Sequence, residues 1–355
     1  MCNHDMRSFL AKLPKCEHHI HLEGALTPEL LFKLAALNKI ALPEDDAAYA
    51  SPETLAQRYL EFSSLDDFLH YYYIGMNVLR HESDFEQLAR SYFDHAAADG
   101  VVHAEVFFDP QAHLSRGISF NAVLNGFTAA RRYAELQYGM STELICCFLK
   151  HLPIPETMQM YAHDELQASL KAGTVSGIGL DSSELGFPPT LFQDVYSAAK
   201  AAGFKRTAHA GEEGPASNIK DSLDLLHVTR IDHGVRLADD PALMKRVAEQ
   251  NTLLTVCPQS NVWLRVVKAV SELPIRTFLN NGVSFSINSD DPAYFGNHFI
   301  LSNYHAVQDA FDLTIDEWMS ICRAGVKGSW CSAERKTQLL DGLASYHSEW
   351  LSSHS

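Results

Sequence analysis

Cys16-Glu17-His18-His19-Ile20-His21-Leu22-Glu23-Gly24 is a short strand-like run that ends in histidines and an acid. Side chains two apart on a strand share a face, so His19 and His21 project together, while His18 and Ile20 point the other way. Two imidazoles on one rigid face make half of a metal site. In a chain with 18 histidines the same pair also reads as chance adjacency. The choice turns on whether other strands end in the same chemistry.

Working outward, the same kind of unit recurs: a short apolar, β-branched run, a polar turn, then a stretch with helical spacing. Besides 16–22, the predicted strands are VVHAEVFF (101–108), ELICCFL (143–149), VSGIGL (175–180), FKRTAHA (204–210), RIDHG (230–234), LLTVC (253–257) and VSFSIN (283–288). Strands alternating with helices imply parallel pairing through right-handed crossovers. Eight such units close into an α/β fold of the (β/α)8 TIM-barrel type, typically about 250 residues long. An open doubly wound sheet is the competing architecture. Thr27-Pro28 and Asp240-Pro241 read as N-caps followed by proline at the first helical position. The surplus length falls between Gly24 and Asp99, as extra helices after strand one, and in a helical tail after Gly296. No linker or repeat divides the 355 residues, so one domain spanning 1–355 is expected.

Strand five ends in Thr207-Ala208-His209-Ala210-Gly211-Glu212-Glu213-Gly214, and strand eight in Ser286-Ile287-Asn288-Ser289-Asp290-Asp291-Pro292. Taken singly, each has a plain reading: a hydrogen-bonded histidine, a loop with a helix cap. A parallel barrel gathers the carboxyl ends of all its strands at one face, which carries the catalytic groups. Three histidines and an aspartate from strand ends one, five and eight then converge. Nitrogen and oxygen donors without thiolate suit a catalytic zinc with one open position, which lowers the pKa of water to about 7. Strand six adds Asp232-His233-Gly234 at the same end, with His233 as a base or hydrogen-bond partner for that water. Otherwise His233 is an ordinary barrel-lining residue.

Other motifs lead nowhere. His103-Ala104-Glu105 matches half of a zinc deaminase signature, but no P-C-x-x-C accompanies it, and it reads as buried barrel. HExxH, GxSxG and Walker A sequences are absent, and Gly177 and Gly179 lack the third glycine of a dinucleotide site. Phe68 and the Tyr71-Tyr72-Tyr73 run read as helix packing, with one of them lidding the pocket as the alternative.

Composition narrows the partners. Against 28 Lys+Arg stand 44 Asp+Glu, a net charge of −16, which disfavours nucleic acid and anionic membranes but not a neutral small molecule. Seven cysteines without a CxxC pair, no N-glycosylation sequon and no apolar leader imply a reducing compartment. The expected location is the cytoplasm, with the nucleus left open. Oligomeric state is not legible.

HHIHLEG, TAHAGEEGP, RIDHGVR, VCPQSN and SDDPAYFG, in this order between about Leu13 and Gly296, resemble the successive motifs of the adenosine/adenine deaminase family of metal-dependent hydrolases. Within it, SSLDDFLHYYYIGMNVL, EVFFDPQAHLSRGISF and GLDSSELGFPP are similar to microbial adenine deaminases. The resemblance implies one zinc per chain on His19, His21, His209 and Asp290. It implies Glu212 as proton donor, His233 as the residue orienting the metal-bound water, and Asp291 as the group holding purine N7. His18 departs from the apolar residue common at its position and is expected to be a packing adjustment. Glu23 stands where nucleoside deaminases carry Asp near the ribose, which is compatible with a pocket that stops at the base. The implied reaction is hydrolysis of adenine to hypoxanthine and ammonia in purine salvage. Two alternatives are adenosine as substrate and a zinc-holding relative without turnover. The presence of Glu212 and His233 speaks against the latter. A phosphotriesterase-like hydrolase stands further back, because such sites favour two metals.

Overall fold

Short buried strands of Val, Ile, Leu and Phe pair most readily when both faces are covered, and helical crossovers provide that cover. In the computed structural model, which describes residues 3–354, eight strands do so: β1 (Lys15–Glu17), β2 (Val101–Phe108), β3 (Ser141–Leu149), β4 (Gly177–Asp181), β5 (Lys205–Ala210), β6 (Arg230–His233), β7 (Leu253–Val256) and β8 (Phe285–Ile287). All pair in parallel, in the order of the sequence. The seam between β8 and β1 is closed by a parallel bridge of Ile20 with Asp290. The architecture is therefore the (β/α)8 barrel and not an open sheet.

The first strand is shorter than expected. Regular pairing stops at Glu17, and the histidines lie beyond it on backbone held by two isolated bridges, Ile20–Asp290 and His21–Phe107. The shared face of His19 and His21 survives, with ring centroids 5.5 Å apart. His18 turns away as expected, its ring nitrogens 3.1 Å from Ser286 Oγ and 2.8 Å from Ser329 Oγ.

The barrel interior beneath the histidines is filled. Phe107, Ile145, Cys147 and Trp330 form a buried cluster. Beside it Arg230 pairs with Glu105, the guanidinium lying 4.5 Å from the Trp330 ring. His103 Nε2 is 3.1 Å from Glu105 Oε1, so the H-x-E sequence is barrel interior, as read.

Both capping expectations hold. Thr27 accepts from Leu30 N at the start of Pro28–Asn38, and Asp240 accepts from Ala242 N and Leu243 N before Pro241–Glu249. Between β1 and β2 stand the helices Pro28–Asn38, Pro52–Tyr59, Leu65–Met76 and Glu82–Ala98; the tail supplies Ile300–Phe311, Ile315–Gly328 and Ala333–Ser353. Helix Leu65–Met76 brings Leu65, Phe68, Leu69, Tyr72 and Tyr73 to the barrel mouth, a stripe at i, i+3, i+4, i+7 and i+8. The aromatic run takes both of the roles its sequence allows. Tyr71 does pack, stacked on Tyr49 at 5.8 Å, but Phe68, Tyr72 and Tyr73 also wall the pocket. Among the described residues six cysteines are free, and none of the helices is long and apolar enough to cross a membrane; Cys2 lies outside the described residues.

Candidate active site

Each site residue follows a strand end. His19 and His21 come just after β1, His209 near the end of β5, His233 at the end of β6, and Asp290 and Asp291 after β8. Two of these have left-handed backbone, His233 with φ 64° and Asp290 with φ 68°. Such strain in non-glycine residues persists only where surrounding structure over-determines it. Gly24 leaves no room for a side chain, since a Cβ there would lie 2.0 Å from Asp291 Oδ1 and 2.7 Å from its Cα.

The side chains meet. One donor atom each from His19, His209, His233 and Asp290 lies within 4.8 Å of the others. His21 joins through Nε2, which is 3.2 Å from His209 Nε2 and 3.6 Å from Asp290 Oδ1. His19 Nε2 is 3.1 Å from Asp290 Oδ1. All five residues are buried. Burial is the first cause that lowers the pKa of His19 and His21 to about 4 and of His233 to about 3, so the imidazoles stand neutral with lone pairs to offer.

Hydrogen bonding orients one of those lone pairs. Thr255 Oγ1 donates to Asp232 Oδ1 at 3.2 Å, so toward His19 Nδ1, 2.8 Å away, it accepts. That fixes the proton on Nδ1 and leaves Nε2 unprotonated, and Nε2 is a buried atom without a hydrogen-bond partner. An orphaned lone pair facing a carboxylate and two more neutral imidazoles is a poor arrangement for an empty protein and a good one for a cation. The residues fit a divalent metal ion with nitrogen and oxygen ligands.

Glu212 sits beside this cluster, its Oε2 3.4 Å from His233 Nε2. Asn261, from the VCPQSN segment, donates to Glu212 Oε1 at 3.4 Å and lies equally far from His233 Nδ1. Burial, then the carboxylates of Asp290, Glu184 and Glu213, push the Glu212 pKa well up. Burial, followed by Asp290 and Asp109, does the same for Asp291, whose Oδ1 is unpartnered. Glu184 clamps the turn that carries Glu212, accepting from Gly211 N at 3.1 Å, Glu212 N at 2.8 Å and Asn218 Nδ2 at 2.9 Å.

Every residue singled out in the sequence for metal, acid–base or purine contact thus comes to one place. His233, expected only beside the metal, stands as close to the cluster as the histidines do. Glu23 differs from expectation. It lies away from the pocket wall, fully buried, with Oε1 accepting from Asp109 N at 3.2 Å and 2.8 Å from His113 Nε2. Missed entirely were Asp109 and Asp181, which line the same pocket beside His21, and the supporting Glu184, Thr255 and Asn261. Asp109 directly follows β2 and Asp181 ends β4, so their place at strand ends was the available signal.

The sequence model of the family described as adenosine deaminase matches residues 14–346. Adenine deaminase of Schizosaccharomyces pombe is 54% identical over 343 residues, covering 97% of this chain and 93% of that protein. That of Aspergillus oryzae is 53% identical, covering 96% of each. Among solved structures, adenine deaminase of Arthrobacter aurescens superposes with a TM-score of 0.88 at 41% identity, covering 95% of this chain and 99% of that one. An amidohydrolase of Burkholderia ambifaria with bound zinc gives 0.87 at 27% identity, covering 99% and 95%. With its family model matched over residues 14–346 and a relative 54% identical over 97% of its length, this chain belongs to the adenosine deaminase family.

Proposed function

We propose that the chain, acting as one domain, is a zinc-dependent adenine deaminase that hydrolyses adenine to hypoxanthine and ammonia. The observation that carries the reading is the buried convergence of His19, His21 and His209 with Asp290, next to the buried carboxyl of Glu212. The relatives named adenine deaminase, half or more identical along nearly the whole chain, support the substrate. His19, His21, His209 and Asp290 would hold the ion, which when bound supplies an activated water at neutral pH.

The remaining residues divide the proton work. His233, within 3.7 Å of Asp290 Oδ2 and 3.4 Å of Glu212 Oε2, is placed to take a proton from the attacking water. Glu212, protonated in a dry pocket beside other acids, donates to purine N1 as oxygen adds to C6. Asp291 presents Oδ1 to N7, and in its acid form it donates to that nitrogen. Return of a proton to the exocyclic nitrogen breaks the C6–N bond and releases ammonia. The apolar stripe Leu65, Phe68, Leu69 covers the base and excludes water.

None of the pocket's lining side chains is a lysine or arginine to meet a phosphate. Comparing kcat/KM for adenine, adenosine and AMP on a sample of measured zinc content tests the proposal. Adenine should lead by a wide margin; a preference for adenosine would refute it. The cysteine pattern supports a reducing location, cytoplasmic or nuclear.

A further inference from the structure

Between His209 and Glu212 the chain runs through only Ala210 and Gly211. That short backbone joins a metal ligand to the proton donor, and a buried lysine and a buried glutamate grip its two ends. Lys150, 1% exposed and directly after β3, donates from Nζ to His209 O at 2.8 Å. Glu184, 4% exposed and just beyond β4, accepts from Glu212 N through Oε1 at 2.8 Å and from Gly211 N through Oε2 at 3.1 Å. Asn218 Nδ2 donates to the same Oε2 at 2.9 Å. Gly214 makes room for this arrangement, since a Cβ there would lie 2.2 Å from Asn218 Nδ2 and 2.4 Å from Glu184 Oε2.

Neither side chain lines the pocket, so neither is placed to touch a purine. A neutral side chain or a water could satisfy the same backbone groups without the cost of burying an ion. What ionised groups add is stiffness. Charge-assisted hydrogen bonds are shorter and roughly twice as strong as neutral ones, and the two oxygens of one carboxylate tie successive amides together. The reaction needs that stiffness, because N1 and C6 are adjacent atoms of one ring. The acid that serves N1 must therefore keep a fixed separation from the cluster that serves C6. Resting on the adenine deaminase reading, we propose that Lys150 and Glu184 are positioning residues, which set the spacing between His209 and Glu212 by holding the backbone that joins them. A misplacement of about 1 Å in such a geometry costs roughly 10²-fold in rate.

The test compares Glu184→Gln and Lys150→Met, each alone, and Glu184→Gln combined with Glu212→Gln, all in zinc-loaded protein. Both substitutions nearly keep side-chain size. Gln sets a donor where Gly211 N or Glu212 N needs an acceptor, and Met has no donor for His209 O. Glu184→Gln should retain zinc, leave KM for adenine near its wild-type value and lower kcat by roughly 10²-fold. Added to Glu212→Gln it should cost almost nothing more, because the group it positions is already gone. Lys150→Met should weaken zinc binding about 10-fold or more in competition with a chelator. An equal loss of kcat in both backgrounds, a rise in KM alone, or unchanged zinc affinity in Lys150→Met would each overturn the proposal. Backbone amide exchange keeps it separate from the functional reading. The Gly211 and Glu212 amides should exchange slowly in wild type, and Glu184→Gln should speed them more than amides elsewhere in the barrel. With that result and weakened zinc binding in Lys150→Met, the positioning role stands even should wild type release no ammonia from adenine. Exchange of these two amides at the same rate in wild type and Glu184→Gln overturns it.

Discussion

Asp290 is laced into the barrel seam by His19 and His21: its amide donates to His19 O and its carbonyl accepts from His21 N, each at 3.0 Å. These are the backbone bonds that join β8 to β1, and they lie on the residues whose side chains form the cation cluster. Barrel closure and ligand assembly are therefore one event. A site built this way has little slack, because moving any of the three side chains by rotation of the backbone opens the seam.

Gly24 tests that lack of slack. Gly24→Ala puts a methyl group 2.0 Å from Asp291 Oδ1 and 2.7 Å from its Cα, and backbone cannot yield as a flexible side chain would. Overpacking of this kind costs about 1–3 kcal/mol. Urea unfolding should show that loss together with a sharp fall in adenine turnover. A variant as stable and active as wild type would show that the loop adjusts freely.

Thr255 tests the orientation of His19. Its hydroxyl is the 2.8 Å partner of Nδ1. Thr255→Val keeps the shape and removes the partner, and loss of such a supporting contact typically lowers metal affinity about 10–100-fold. Competition against a chelator measures it. Unchanged affinity would mean that the imidazole is held by packing alone.

Glu212 carries the pH dependence. Its pKa is raised well above the ordinary glutamate value by burial and then by neighbouring carboxylates. Turnover should therefore fall as pH rises through that raised pKa, and not as pH drops through the ordinary glutamate range. Glu212→Gln should abolish the alkaline limb, retain zinc and lower kcat by about 10²–10⁴-fold. Near-normal turnover in this variant would remove Glu212 from the mechanism.

Glu105 tests the structural reading of the H-x-E sequence. Burial alone would raise its pKa, but Arg230 and the His103 hydrogen bond outweigh it and hold the carboxyl well below its usual range. The stability it contributes is thus full above the ordinary glutamate pKa and is lost only in strong acid. Glu105→Gln leaves the Arg230 charge buried without its partner, and such breaks cost about 3–5 kcal/mol. A denaturation midpoint equal to that of wild type would contradict this.

Legibility in the sequence followed physical range. β2 to β8 were readable because buried parallel strands are apolar runs bounded by turns, and both N-caps because the cap is a local hydrogen bond. The extent of β1 was not, since its later residues are held by single bridges to the distant residues Phe107 and Asp290. The metal and acid–base residues stood out because histidine and paired acids at strand ends are rare enough to notice. Asp109 and Asp181 stood at strand ends too, yet a lone aspartate beside proline or serine is ordinary loop chemistry. Only folding sets the two against one cavity. The aromatic stripe stayed ambiguous for a different reason: helical spacing shows which side chains share a face, not whether that face meets a neighbour or a pocket.

The central claim is that one divalent ion, held by His19, His21, His209 and Asp290, is required for hydrolysis of adenine. Stripping the protein with a chelator and titrating zinc back while following ammonia release addresses it on a single sample. Activity should be absent from the stripped protein and rise in proportion to zinc, levelling off at one ion per chain. A stripped protein that deaminates adenine as fast as the untreated one, or a plateau at two ions, would contradict the account.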